Sequence, residues 1–270
     1  PAASDVGVHV PRSADAYLCV LRFYQYRKVL NQEEHAATRA CLEQTTQRYP
    51  AYSTAWAMLA YLYLDEDRFA LNIRRSGPAA TSRAREAAEH AVRLDPANAR
   101  ALQALMTVLF FSREPEAALR AGERALVLNP NDTEVLAEYG SRVAQAGDWS
   151  RGAAMMEDAL ARSPAQTGYY VGLVALAYFM QGRDDQALEW IRRADLKRFS
   201  IYHFVAALIF TRSGLEQEAK ASAATFLSMR PRFFDNFAGE LASRNFNARD
   251  RAILTKGAQQ SGFPVSILGN

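Results

Sequence analysis

The chain has 270 residues, 32 of them basic and 29 acidic, for a formal net charge of +3. That balance is too mild to imply a nucleic-acid binder, and no charge block or low-complexity tail appears. The longest apolar passages, such as YYVGLVALAYFM at 169–180, are shorter than the roughly 20 residues that span a bilayer, which argues against membrane insertion.

Residues 1–12 have no apolar period and carry Pro1, Gly7 and Pro11, so they are expected to form a tether. The chain opens on Pro1 rather than Met, as expected of a domain taken from a larger protein or of a processed chain. From Ser13, a plausible cap, ADAYLCVLRFYQYRKVL has helical spacing. Arg22, Tyr24, Tyr26 and Arg27 lie on this helix, where the period can turn some of them inward. A break at Asn31 precedes QEEHAATRACLEQTTQRYP, whose Glu33 and Glu34 suit a first helical turn. Read as a hairpin, these helices bring Cys19 and Cys41 to comparable height. The two cysteines are either a disulfide or two separate buried thiols, and without clustered His or Asp they make no metal site.

The organising signal lies further along. Pro96, Pro130 and Pro164 stand 34 residues apart and close three similar phrases. Before each, small residues recur at matching offsets: Ala84, Ala88 and Ala91, then Ala118, Gly122 and Ala125, then Gly152, Met156 and Ala159. Two short helices repeated at this period make a helical solenoid. Extending the period gives an all-α, right-handed superhelix of about six hairpins over 13–231, with units at 13–50, 51–96, 97–130, 131–164, 165–199 and 200–231. Residues 232–270 are expected to form capping helices and a tail. Pro50 and Pro96 stand 46 apart, so the second unit carries 12 extra residues, either a binding rim or a tolerated loop. Gly147-Asp148 and Glu114-Pro115-Glu116 read as turns within units, with Pro115 in the first turn of a helix.

Trp56, Leu59, Ala60 and Tyr63, with Leu136, Tyr139, Gly140 and Val143 two units on, resemble the tetratricopeptide repeat family. The resemblance implies that the first helix of each unit lines a concave groove. It places Thr54, Tyr61, Arg100, Gln103, Thr107, Phe111, Glu134, Ser141, Tyr178, Phe204 and Arg212 on that surface. Aromatics with a few Arg and Gln donors suit a protein segment, a peptide or a small organic ligand, although the same aromatics could simply be buried between units.

AYLCVLRFYQYR, AWAMLAYLYLDEDRF, LNPNDTEVLAEYGSRVAQAGDWSRG and DRAILTKGAQQSGF look more specifically like the C-terminal repeat domain of proteobacterial, especially rhizobial, signalling proteins. There the repeats follow a class III cyclase or winged-helix domain, often across a membrane helix. This resemblance implies a sensory module, with a periplasmic location favoured over a cytoplasmic one. The alternative is a free-standing envelope assembly or scaffold protein. No nucleophile elbow, phosphate loop, zinc-protease motif or dinucleotide fingerprint occurs, so neither catalysis nor a cofactor is expected of this segment. Self-association is a further expectation, with Phe233, Phe234 and Phe237 as the exposed apolar candidates.

Overall fold

The structure is a computed structural model and describes residues 14–74, 76–163 and 168–265. The expected tether at 1–12 lies outside these residues. Six antiparallel helix pairs follow one another: α1 (Ala14–Val29) with α2 (Gln32–Arg48), α3 (Ser53–Arg68) with α4 (Ala80–Leu94), and α5 (Ala99–Phe111) with α6 (Pro115–Leu128). Then come α7 (Thr133–Gln145) with α8 (Trp149–Arg162), α9 (Gly168–Met180) with α10 (Asp184–Arg193), and α11 (Ser200–Arg212) with α12 (Glu216–Met229). A 3-10 turn at Phe233–Asn236, α13 (Phe237–Ala242) and α14 (Ala248–Gln260) form the cap. The described residues contain no strand, and the fold is a right-handed solenoid of stacked hairpins.

Polar residues beside the prolines begin several of these helices. Asn98 accepts hydrogen bonds from the amides of Arg100 and Ala101, and Asp132 does the same for Glu134 and Val135. Asn31, Asp148 and Asn247 cap α2, α8 and α14. Each bond satisfies an amide that the helix itself cannot. Three hairpin turns rest on Gly147, Gly182 and Gly214, all with positive φ; Arg113 takes that conformation in the third unit at φ 66, where a side chain is strained.

Helices α7 and α8 touch through small residues. A Cβ on Gly152 would fall 2.5 Å from Ala144 Cβ and 2.5 Å from the Gly140 carbonyl oxygen. Alanine has the better helix propensity by about 1 kcal/mol, but this contact is with backbone that cannot swing away. Gly152→Ala is therefore expected to destabilise the fold by about 1–3 kcal/mol, as overpacking does. A thermal melt equal to or above that of the parent protein would show that the crossing can relax.

The superhelix closes on itself. Helix α1 touches α9, and Phe69 at the end of α3 packs edge-on against Phe199 before α11, with centroids 4.7 Å apart. The cap folds back along the inside: Arg244 Nη2 donates to the Arg68 carbonyl at 2.9 Å, and Asn245 Nδ2 donates to the Phe110 carbonyl. Trp149 stacks on Phe246. Helices α9 and α11 consequently meet protein on most sides. That explains why their sequences are apolar around most of the circumference rather than along one stripe.

Two segments are fastened from within. Cys19 and Cys41 form a disulfide between α1 and α2, with Cα atoms 5.6 Å apart. The insertion of the second unit is held by Glu66, whose carboxylate takes Arg39 at 2.7 Å and Arg83 at 2.7 Å. His35 is wholly buried; its Nε2 lies 2.8 Å from the Leu62 carbonyl and its Nδ1 3.0 Å from Asn72 Nδ2. Burial lowers its pKa despite the bond to Leu62, so the neutral ring serves as a strut.

Phe233, Phe234 and Phe237 are not exposed. All three are buried with Phe204, Phe226 and Phe263 in one aromatic cluster under the cap. The exposed large apolar side chains include Tyr17 at 58%, Leu18 at 59% and Leu21 at 45%, all on α1.

Candidate functional site

The first helices of the units do converge, and what they converge on is a buried polar network. Helix α1 brings Tyr26 and Arg27, α3 brings Tyr61, Asp65 and Arg68, and α5 brings Gln103 and Thr107. From α7 come Glu138 and Arg142, and from α9 come Tyr169 and Tyr170.

Glu138 is the centre. Its Oε2 takes Arg27 Nη2 at 3.0 Å and lies 2.8 Å from the Tyr170 hydroxyl. Its Oε1 takes Arg142 Nη2 at 2.9 Å and the Thr107 hydroxyl at 3.2 Å. Burial opposes ionisation here, but the guanidinium groups of Arg142, Arg27 and Arg68 outweigh it and hold the carboxyl at about 2. Glu134 shows the opposite balance: burial pushes it up, although Arg27 and Tyr170 pull the other way. The Tyr170 hydroxyl is 2.7 Å from Glu134 Oε1. The Tyr170 hydroxyl thus has one proton to donate and two unlike carboxyl groups within reach of it.

The network is also stacked. Arg27 lies over the rings of Tyr61 and Tyr169, and two guanidinium groups approach Phe111, with Arg68 at 4.2 Å and Arg142 at 4.9 Å from its centroid. Such contacts are strongest where water is excluded.

The sequence-derived groove residues divide among several places. Tyr61, Gln103 and Thr107 belong to the network, the Tyr61 hydroxyl lying 3.1 Å from Thr107 Oγ1 and 3.3 Å from the Gln103 carbonyl. Arg100 and Glu134 stand at its edge, Arg100 reaching Gln103 Oε1 at 2.7 Å and Asp132 at 2.8 Å. Thr54 accepts from Asn98 Nδ2, and Ser141 donates to the Glu138 carbonyl. Phe111 and Phe204 line an apolar cavity beneath the cap. Tyr178 donates to Glu157, and Arg212 donates to the Phe179 carbonyl, both away from the network. Arg68, Glu138, Arg142 and Arg244 were not singled out by the repeat pattern, whereas Tyr170 matches it as a position of the fifth unit. For Arg68, Glu138 and Arg142 the one sequence signal is a charged residue on a helix otherwise rich in apolar ones; Arg244 lies in the turn after α13.

Among the described residues, no group of three His, Cys, Asp or Glu side chains converges to hold a metal. No described helix is long and apolar enough to cross a membrane.

No family model matches the sequence, and no curated protein matches it. Solved structures do. The chain aligns with the Cut9–Hcn1 hetero-tetramer of APC/C at TM-score 0.61 and 16% identity, over 87% of this chain and 44% of that one. It aligns with a monomeric mutant of IFIT1 with Gppp-AAAA at TM-score 0.59 and 16% identity, over 84% and 55%. PilW, a type IV pilus biogenesis factor, gives TM-score 0.53 and 15% identity, over 90% and 99%. At these identities the likeness establishes a common fold, that of the tetratricopeptide-like α-solenoids.

Proposed function

We propose that the chain is a non-catalytic scaffold that binds a partner protein through the apolar ridge of α1, in keeping with an assembly role. The ridge carries the proposal. Tyr17, Leu18 and Leu21 are about half exposed on a helix whose other face is buried, and clustered exposed anchors of this kind mark interaction sites. The interior offers less to a macromolecule, because the buried polar network and the cap occupy much of the surface that lines an open superhelix. The fold supports the same role in general terms, since stacked helical pairs present extended surfaces for other chains.

A photo-crosslinking amino acid at Leu21, with Arg120 on the exposed face of α6 as the control, tests this in cells producing the full chain. A discrete cross-linked partner is expected at position 21 and not at 120, with its yield reduced about tenfold by Leu18→Glu, as for loss of an interface anchor. Equal cross-linking at both positions, or cross-links only between copies of the chain, would remove the scaffold role.

A sensory role under an upstream output domain draws support from the phrases that resemble the rhizobial signalling proteins. The Cys19–Cys41 bond suits the oxidising compartment which that role favours. A cyclase or winged-helix domain and a membrane helix encoded ahead of Pro1 would favour the sensor, whereas a signal peptide alone would favour the scaffold.

A further inference from the structure

Asn98 and Asp132 satisfy the first amides of α5 and α7, but the corresponding position before α11 is Phe199, which has no side-chain acceptor to offer. The first turn of α11 carries no acidic residue either. The positive end of that helix is thus left without a cap or a counter-charge. It opens on a cleft of about 570 Å³, bounded by the turn between α1 and α2, the start of the second unit's insertion, the connection from α10 and the end of α12.

A bare helix end is common; two side chains in this cleft set it apart. Ser200, the first residue of α11, is 7% exposed, and Asn31, from the turn between α1 and α2, is 8% exposed. Asn31 Oδ1 accepts from the Glu34 amide at 3.0 Å, which fixes the side-chain amide and leaves Nδ2 directed away from that bond. Neither Asn31 Nδ2 nor Ser200 Oγ has a hydrogen-bond partner among the described residues, and neither is among the polar atoms sealed from solvent. Nearly buried donors with open surface of this kind are satisfied by an acceptor brought from outside. Lys197 and Arg198 add two exposed cations, neither of them in an ion pair among the described residues. Arg230 also lines the cleft but is paired with Glu240. Glu33 is the one carboxylate in the described lining, and Asp195 on the connection from α10 is not part of it. Most of the remaining wall is apolar, with Leu30, Phe69, Leu71, Phe199 and Met229, the last 40% exposed.

We propose that this cleft binds a small phosphate monoester, its phosphoryl oxygens at the N-terminus of α11 and its organic part against the apolar wall. The donors decide the head group. A hydroxyl, a carboxamide N–H, the first amides of a helix and a pair of cations offer more than a carboxylate can use, and they match the three oxygens and roughly two charges of a phosphoryl group. The volume sets the class, since clefts of about 300–1,000 Å³ hold small organic molecules. The site lies at the opposite end of α1 from Tyr17, Leu18 and Leu21, and it does not depend on the scaffold reading.

The test is titration of the full chain with phenyl phosphate, read by calorimetry and by backbone amide shifts. Phenol supplies the ring without the charge, and inorganic phosphate the charge without the ring. Phenyl phosphate is expected to bind saturably, about tenfold or more tightly than either, and to shift the amides of Ser200 and Ile201. Lys197→Gln combined with Arg198→Gln should weaken it about tenfold, and Ser200→Ala about threefold or more. Lys197 and Arg198 are exposed, so the double variant should melt with the parent. Arg120→Gln combined with Arg124→Gln removes the same charge from the exposed face of α6 and should leave the affinity unchanged. Absence of saturable binding, equal binding of phenol or of inorganic phosphate, unshifted Ser200 and Ile201 amides, unchanged affinity in Ser200→Ala, or an equal loss in both double variants would each overturn the assignment.

Discussion

Glu138→Ala is expected to lower folding stability by about 3–5 kcal/mol, the range found when one partner of a buried ion pair is removed. The residue is wholly buried and serves Arg27 and Arg142 together, so its loss leaves two guanidinium groups without their shared acceptor. For a chain of this size, a melting point about 10 °C lower follows, measurable by circular dichroism. The pH dependence carries an independent signature. With its folded pKa held at about 2, against an ordinary 4.5, Glu138 contributes stability at pH values above 4.5. That contribution is lost as the pH falls from there toward 2, and amounts to about 3 kcal/mol. Glu134, raised in the folded state, works in the opposite sense, because protonating it favours the fold. The parent protein should therefore unfold along a steep acid limb that Glu138→Ala flattens. A variant melting within about 2 °C of the parent would mean that water or a rearranged acceptor replaces Glu138 without loss.

Phe204→Ala should be comparably damaging. The ring is 5% exposed and lies within 5.4–6.3 Å, centroid to centroid, of Phe226, Phe233, Phe234, Phe237 and Phe263. Truncating a buried phenylalanine typically costs about 3–5 kcal/mol. Here the loss falls at the seam between the last hairpin and the cap, so α13 and α14 should lose protection from hydrogen exchange before α3 to α8 do. A uniform loss of protection along the chain would show that the cap is not a separable layer. Unchanged stability would return Phe204 to the role of a solvent-facing ligand anchor.

Much of the fold was legible because its causes are local. Three prolines 34 residues apart, Asn98 and Asp132 two residues after the first two, and small residues at the helix crossings specify hairpins one at a time. The interior was less legible, since it depends on the pitch of the whole superhelix. Arg27 and Glu138 are 111 residues apart, and no period links them. Mapping groove positions from the repeat pattern presupposes an open concavity. In a tight superhelix the same positions face other first helices, which is where Tyr61, Gln103 and Thr107 are found. One clue to the tightness was available. YYVGLVALAYFM has no polar side, and a helix without one must be covered nearly all round. The three phenylalanines at 233–237 carried a similar message, since a cluster that apolar next to a terminal repeat has an end to cover.

The contact between α1 and α7 also limits what the chain can become. An open array of repeats grows or shrinks by whole units, because each unit answers only to its neighbours. This chain has a ring-like constraint instead: the register of its first hairpin is fixed by the angular position of its fourth. Adding or deleting one 34-residue unit between them would carry Glu138 around the axis and part it from Arg27. Duplication within the array is thereby blocked, and the number of units is set by geometry as well as by what the ends can tolerate.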